Sequence, residues 1–336
     1  MHFLTRRRLL TTSLSSLAIT ALTAVAPPPA VAAPREQPAC QWQWADLPVP
    51  SGVERATVTG TDGADRFVGH TTRRVTGGIG ILDEGALWEQ GTLRPLGAAY
   101  GLNTYLRAVN SAGVAVGYAT DSRPGGVRFP VRHRDGRYEA LPVPANATGS
   151  AAAINEKGDV LGETSGKVTV WPVDRPGTTV TFNPSAGGYA EGVDIDEQGN
   201  VLGWLYGGEA FSWAPDGTHR LLTHSRPGTR LSPRAFSGDR IIGLEDNVVT
   251  EWSRQGAVLR SYPSGMSFAA VNGTGTIVGQ RGGVTVLASN GVIERELPAM
   301  AGQHVTPSAI TDELVVAGSR RVAGANENTV VYGRCV

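Results

Sequence analysis

One segment occurs seven times in this chain, and that repetition limits the possible folds more than any other feature. "AVNSAGVAVGYA" from Ala108 returns as "AINEKGDVLGET" from Ala153, "DIDEQGNVLGWL" from Asp194 and "AVNGTGTIVGQR" from Ala270. Looser copies are "ATVTGTDGADRFVGH" from Ala56, "AFSGDRIIGLE" from Ala235 and "AITDELVVAGS" from Ala309. Each copy closes on a glycine: Gly69, Gly117, Gly162, Gly203, Gly243, Gly279 and Gly318, spaced 36 to 48 residues apart. The second half of each unit carries an apolar strand, often ending in Trp, then a Gly-bearing turn and a further strand. "GALWEQGTLRPL", "AFSWAPDGTHRLL" and "VTEWSRQGAVLRSY" are examples. Gly-bearing links between alternating apolar runs are hairpin signals, so every unit reads as four short strands.

Four strands at a period near 40 is the composition of a propeller blade. The composition agrees. With 44 glycines and 21 prolines in 336 residues, the chain is punctuated too often for many long helices. Its 40% hydrophobic content argues against disorder. The expected fold is all-β, a single seven-bladed β-propeller over residues 40–336.

The ends of the chain fit a closed ring. The seventh unit supplies three strands, the last in "NTVVYGRCV", and no fourth follows. "CQWQWADLPVP" near the start contains "ADLPVP", which matches the fourth-strand segment "EALPVP" at Glu139 to Pro144. The N-terminal segment is therefore expected to complete the last blade. Aligned on "WAPDG", Cys335 falls at Asp216 in the turn between strands three and four, and Cys40 falls on the other side of that turn. These are the two cysteines of the chain. A Cys40–Cys335 disulfide is expected to replace the covalent hairpin of the other six blades.

Such a bond persists in an oxidising compartment, and the first residues point to export. "MHFLTRRRLL" is a basic n-region, a weakly apolar stretch follows, and Ala30-Val31-Ala32 is a small-residue cleavage site. "TRRRLL" resembles the twin-arginine export motif, with an ordinary Sec signal as the alternative. The expectation is an export signal at 1–32, a linker at 33–39, and a secreted, monomeric mature chain without a membrane span. Its 27 basic and 30 acidic residues recommend no nucleic-acid partner.

"AINEKGDVLGE" and its copies resemble the repeats of bacterial secreted HAF-repeat proteins, over about Arg55 to Tyr332. The resemblance implies an extracellular propeller and no particular substrate.

The recurring Asn110, Asn155, Asp196 and Asn272 sit in N-x-x-G stretches, where Asn and Asp bond their own backbone and Gly accepts positive φ. They read as turn chemistry. "DIDEQGN" also resembles a calcium loop, but Leu205 stands where an EF-hand needs a bidentate Glu, and the ordinary turn is the preferred reading. The phosphate-loop-like "GETSGKV" has the wrong spacing, and G-x-S-x-G and H-E-x-x-H are absent. No cofactor and no metal are expected.

Residues that differ between units are the better functional signal. After each closing glycine stand His70, Tyr118, Glu163, Trp204, Leu244, Gln280 and Ser319. Loops from fourth to first strands reach the same face, carrying Tyr100, Asn103, Tyr105, Arg107, Tyr189, His224, Arg226 and His304. Variable positions on a rigid scaffold are where binding concentrates. The candidate binding residues are His70, Tyr118, Glu163, Tyr189, Trp204, Tyr206 and Gln280. Exposed aromatics with polar neighbours suit a glycan or a surface-protein partner, so the leading expectation is a non-catalytic binding or scaffold protein. The alternative is a polysaccharide hydrolase or lyase, with Tyr118, His70, His224 or Glu163 supplying acid/base chemistry.

Overall fold

The structure, a computed structural model, describes residues 40–75, 80–121, 126–182, 188–321 and 328–336. The expected export signal and linker lie outside the described residues. Cys40–Val336 forms one unit, and its strands make seven four-stranded antiparallel sheets. Blade 1 is β2 (Val53–Thr61), β3 (Arg66–Arg74), β4 (Ile81–Glu89) and β5 (Thr92–Gly97). Blade 2 is β6 (Asn103–Val109), β7 (Ala115–Thr120), β8 (Arg128–Arg134) and β9 (Arg137–Ala140). Blade 3 is β10 (Gly149–Ile154), β11 (Val160–Thr164), β12 (Lys167–Trp171) and β13 (Val180–Phe182). Blade 4 is β14 (Ala190–Ile195), β15 (Val201–Leu205), β16 (Ala210–Trp213) and β17 (His219–Leu221). Blade 5 is β18 (Leu231–Ser237), β19 (Arg240–Glu245), β20 (Val248–Ser253) and β21 (Val258–Ser261). Blade 6 is β22 (Met266–Val271), β23 (Ile277–Arg281), β24 (Val284–Ser289) and β25 (Val292–Glu296). Blade 7 combines β26 (Thr306–Ile310), β27 (Val316–Arg321) and β28 (Asn328–Cys335) with β1 (Trp42–Asp46) as its outer strand. The seven-bladed propeller read from the repeats is the fold observed. The described residues contain a single short 3-10 turn, Ala99–Gly101, and no helix long and apolar enough to cross a membrane.

The apolar pair before each closing glycine explains how the blades stack. Side chains alternate along a strand, so one of the pair faces each neighbouring blade. Val68 packs with Ala115, Val116 with Val160, and Leu161 with Val201. Leu202 packs with Ile241, Ile242 with Ile277, and Val278 with Val316. Ala317 of blade 7 meets Phe67 of blade 1 and closes the circle. Hydrophobic burial is thus distributed over seven interfaces between blades.

The closing glycine has a steric cause. Every first strand carries a one-residue bulge, at the same place in each blade, for example between Leu106 and Ala108 and between Phe268 and Ala270. The residue before the bulge pairs with the glycine. A Cβ on Gly117 would stand 2.0 Å from the Tyr105 carbonyl oxygen, and one on Gly279 would stand 1.9 Å from that of Ser267. Those distances are inside van der Waals contact, so no side chain fits.

Two further devices recur. An apolar residue just past the outer strand, such as Leu47, Leu141, Leu222 or Leu297, is buried. Its N–H donates to the adjacent third strand or its extension, as from Leu141 to Pro130 at 3.0 Å and from Leu297 to Thr285 at 2.8 Å. The next carbonyl accepts a Trp indole from the following blade. Trp88 donates to Pro48 at 3.0 Å, Trp171 to Pro142 at 2.7 Å and Trp252 to Thr223 at 2.9 Å. In blade 7 the third strand has Gly333 at the Trp position, the ring of Trp44 from β1 fills the space beside it, and Trp44 makes the equivalent bond to Pro298 at 2.7 Å.

β1 pairs with β28 in register from Trp42↔Cys335 to Asp46↔Val331. The outer strands β1 and β9 stop at Asp46 and Ala140, so the shared "LPVP" is the buried anchor and its exit and not part of the strand. Cys40 and Cys335 form a disulfide, with Cα atoms 5.4 Å apart. It joins strands three and four of the last blade, as the alignment of the hairpins predicted.

Candidate functional site

The turns between first and second strands are built by the recurring Asn and Asp. Asn155 Oδ1 accepts from Asp159 N at 2.9 Å, and Asn272 Oδ1 accepts from Thr276 N at 2.8 Å. The other end of the amide reaches the neighbouring blade. Asn110 Nδ2 donates to Asn155 O at 3.2 Å, Asn155 Nδ2 to Asp196 O at 3.1 Å and Asn272 Nδ2 to Thr311 O at 3.0 Å. Asn suits the position because it carries a donor and an acceptor together. Asp196 keeps the turn, accepting from Asn200 N at 2.8 Å, and its Oδ2 lies 2.6 Å from Arg254 Nη1 of blade 5. A guanidinium already holds the carboxylate that a calcium loop would need. Three cavities, of about 390, 310 and 340 Å³, lie on this side in grooves between blades 4 and 5, 3 and 4, and 7 and 1. None of the candidate binding residues lines them.

The candidate residues emerge on the opposite face, in two groups. In the first, the His70 ring stands edge-on to Tyr105, with centroids 5.0 Å apart, and Tyr105 stacks on Tyr118 at 5.1 Å. The Tyr105 hydroxyl donates to Asp83 Oδ2, and Thr72 donates to Asp83 Oδ1. Burial first, then that hydrogen bond, hold the Tyr105 phenol well above its ordinary range. The guanidiniums of Arg128 and Arg107 lie 4.3 and 5.5 Å from the Tyr118 ring centre. Burial, and then the nearby charges of Arg107 and Arg55 against that of Asp83, lower the His70 pKa, so the imidazole is neutral at pH 7. Its Nδ1 is buried without a hydrogen-bond partner among the described residues.

The second group is on blade 4. Tyr206 stacks on Trp204 at 6.4 Å and meets Tyr189 edge-on at 6.0 Å. Tyr206 N donates to Tyr189 O at 3.0 Å, which fixes the two loops against each other. Tyr206 is 77% exposed and Tyr189 46%. Trp204 differs from the expectation of an exposed ring. It is partly buried against the cluster of Leu202, Ala210 and Leu222, because the β15 strand turns that side of the indole inward. Burial, then the Glu163 and Glu191 carboxylates, raise the Tyr189 phenol, which also senses Arg128. Arg128, stacked on Tyr118, thus acts on both groups.

Glu163 is partly spent on structure, accepting from Gly166 N across its own turn. Gln280 stands apart on blade 6, where Nε2 donates to Val305 O at 3.2 Å. His224 bonds Thr229 in a loop tied down by the buried Glu245 and joins neither group. Asn103, Tyr105 and Arg107 are on strand β6, not in a loop as their sequence position suggested. Asp83 and Arg128 escaped sequence reasoning, since neither follows a closing glycine.

No family model and no curated protein matches the sequence. Solved structures do. A streptogramin B lyase structure superposes with a TM-score of 0.61 at 10% identity, covering 88% of this chain and 98% of the other. A catalytically inactive histidine-to-alanine virginiamycin B lyase from Staphylococcus aureus with Quinupristin gives 0.59 at 11%, covering 88% and 100%. The WD40 β-propeller domain of Doa1 gives 0.56 at 12%, covering 86% and 96%. At such identities the likeness is one of fold, shared by lyase structures and a WD40 domain alike.

Proposed function

We propose that this protein is an extracellular binding propeller that takes a glycan across the variable face of blades 1 to 4. The observation that carries the reading is the Tyr189–Trp204–Tyr206 platform. A 77% exposed Tyr206 ring contributes little to folding, yet two neighbouring rings and a backbone hydrogen bond hold it in place. An exposed aromatic in a fixed pose is suited to stack on the apolar face of a sugar, and Glu163, Glu191 and Arg128 supply polar groups beside it. The Cys40–Cys335 disulfide and the expected export signal support an oxidising, extracellular setting. The repeat's resemblance to secreted HAF-repeat proteins points the same way.

A glycan array probed with the mature protein tests this. Tyr206→Ala is expected to weaken binding by roughly ten- to a hundredfold, borrowing the ~1–3 kcal/mol of a ring stacked on a base. Its melting temperature should hardly move, because the ring is exposed. Undiminished binding by that variant would exclude the platform. Capture of a surface protein with no glycan bound would replace the partner class.

A second reading, catalysis on a polysaccharide, is favoured by one observation. A neutral, partly buried His70 with an unpartnered Nδ1 stands against Tyr105, which itself bonds a carboxylate. The same array scored for product release separates the readings, and His70→Ala would abolish release while sparing binding.

A further inference from the structure

We infer that the glycan recognised by this face is anionic, and that Arg107 and Arg128 bind its carboxylate or sulfate groups. This rests on the glycan reading above and adds the charge class. Acidic side chains at the blade 1–3 corner are already engaged. Asp83 accepts from Thr72 and Tyr105, Glu84 pairs with Arg73 at 2.6 Å, and Glu163 accepts from Gly166 N. Three arginines of this corner are not matched in the same way. Arg55, Arg107 and Arg128 are all exposed, and among the described residues none makes an ion pair or donates a hydrogen bond to a carboxylate. Some arginines elsewhere on the ring are neutralised, as Arg66 is by Glu89, Arg132 by Glu139 and Arg240 by Glu251, and others, such as Arg220, are unpaired among the described residues like these; what distinguishes Arg107 and Arg128 is that they share one ring.

The two guanidiniums also have a defined place. Both lie over Tyr118, at 4.3 and 5.5 Å from its centre, so they are closer to each other than the sum of those distances. Stacking on a ring orients the guanidinium plane while leaving its N–H donors free for a carboxylate or sulfate, which it can bind through two parallel hydrogen bonds. Tyr118 is fixed in turn by Tyr105, and Tyr105 by buried Asp83. Arg55 and Arg107 also act on the partly buried His70. The result is a preorganised positive corner beside the aromatic platform of blade 4, with Arg128 within electrostatic reach of Tyr189. A chain of acidic sugars can satisfy both ends at once.

The test compares polygalacturonate with its fully methyl-esterified form, which keeps the sugar and removes the charge, and dextran sulfate with dextran. Wild type is expected to bind a charged member at least tenfold more tightly than its neutral twin, and to weaken as salt rises. Preference within the polygalacturonate pair assigns a carboxylate, and within the dextran pair a sulfate. Arg107→Ala with Arg128→Ala should abolish the preference at unchanged melting temperature, and Arg128→Lys should retain part of it. Arg220→Ala, in the groove between blades 4 and 5 on the opposite face, should leave it intact. Equal binding of charged and neutral members, still lost in Tyr206→Ala, would overturn this inference while leaving the glycan reading standing. Binding of none of the four polymers, with neutral glycans bound on the array, would also overturn it. Absence of all glycan binding would overturn both. A loss in Arg220→Ala equal to that in the double variant would reduce the effect to overall charge and refute the assigned site.

Discussion

Replacing both cysteines of the clasp, Cys40→Ser with Cys335→Ser, asks how the ring is closed. The bond joins residues 295 apart in sequence. A loop of that length gives roughly 5–6 kcal/mol in the chain-entropy model, an upper figure because engineered bonds deliver less. Without the bond, β1 is held by a five-residue ladder with β28, the Gln41–Val336 pair of hydrogen bonds, the buried Leu47 and the Trp44 indole. These contacts survive in the double variant, so it should still fold. Its urea midpoint should fall by about 1.5–2 M, taking roughly 3 kcal/mol/M for a chain of this size. Seven tryptophans, three of them in or next to the seventh blade's interfaces, make fluorescence a suitable probe. The oxidised wild type is titrated beside the variant, and limited proteolysis reports whether β1 is released first. An unchanged midpoint together with unchanged protease resistance would show that the ladder and Leu47 close the ring alone, and the clasp reasoning would be wrong.

Three further perturbations address the repeat and one seam. Gly279→Ala places a Cβ 1.9 Å from Ser267 O and should cost about 1–3 kcal/mol or more in a melting experiment, whereas Gly80→Ala, with open space around it, should cost nothing measurable. Asn155→Ala leaves Asp159 N without its partner and removes one of the two bonds on Asp196 O, which Gly199 N still reaches, and should cost on the order of 1–3 kcal/mol by denaturation; Asn155→Asp should recover only the turn share. Asp194, although partly accessible as a residue, has its carboxylate enclosed, and burial pushes it from 3.8 up to about 7. The folded state therefore holds a proton that the unfolded chain has released, and stability declines as pH rises from about 4 to about 7, by at most on the order of 4 kcal/mol. Asp194→Asn should flatten that stretch of a stability–pH profile, and an unaltered slope would place the titration elsewhere.

The sequence made the blade count legible because one stereochemical requirement recurs at Gly69, Gly117 and their counterparts. The bulge responsible for it stayed hidden, since an extra residue in a first strand leaves no mark on composition. Ring closure was legible because "ADLPVP" and "EALPVP" share a buried leucine. The site was only half legible. Tyr118, Tyr189 and Tyr206 stood out as departures from the repeat, but Asp83 and Tyr105 belong to different blades, and only the packing of β4 against β6 brings them together. Trp204 looked like its neighbours in sequence, and its burial depends on how the blade 4 core fills with Leu202 and Leu222.

The hydrogen bonds of the N-x-x-G turns have a direction of donation. Starting from blade 5, Ser237 donates to Asn272 O, Asn272 to Thr311 O, Asp312 N to Gly63 O and Arg66 to Ser111 O. Asn110 then donates to Asn155 O and Asn155 to Asp196 O. There the relay stops, because Asp196 stands where Asn110, Asn155 and Asn272 have an amide, and it has no hydrogen to pass on. Blade 5 instead donates backwards, through Phe236 N to Asp194 at 2.7 Å and through Arg254 to Asp196 at 2.6 Å. Blade 4 is a sink that receives from both sides, and its junction with blade 5 carries the ion pair that links blade to blade among the described residues. The seven junctions therefore do not respond alike to solution conditions. Salt and pH act chiefly on this one, so the propeller should open there first, like a split washer, at a junction well away from its covalent clasp.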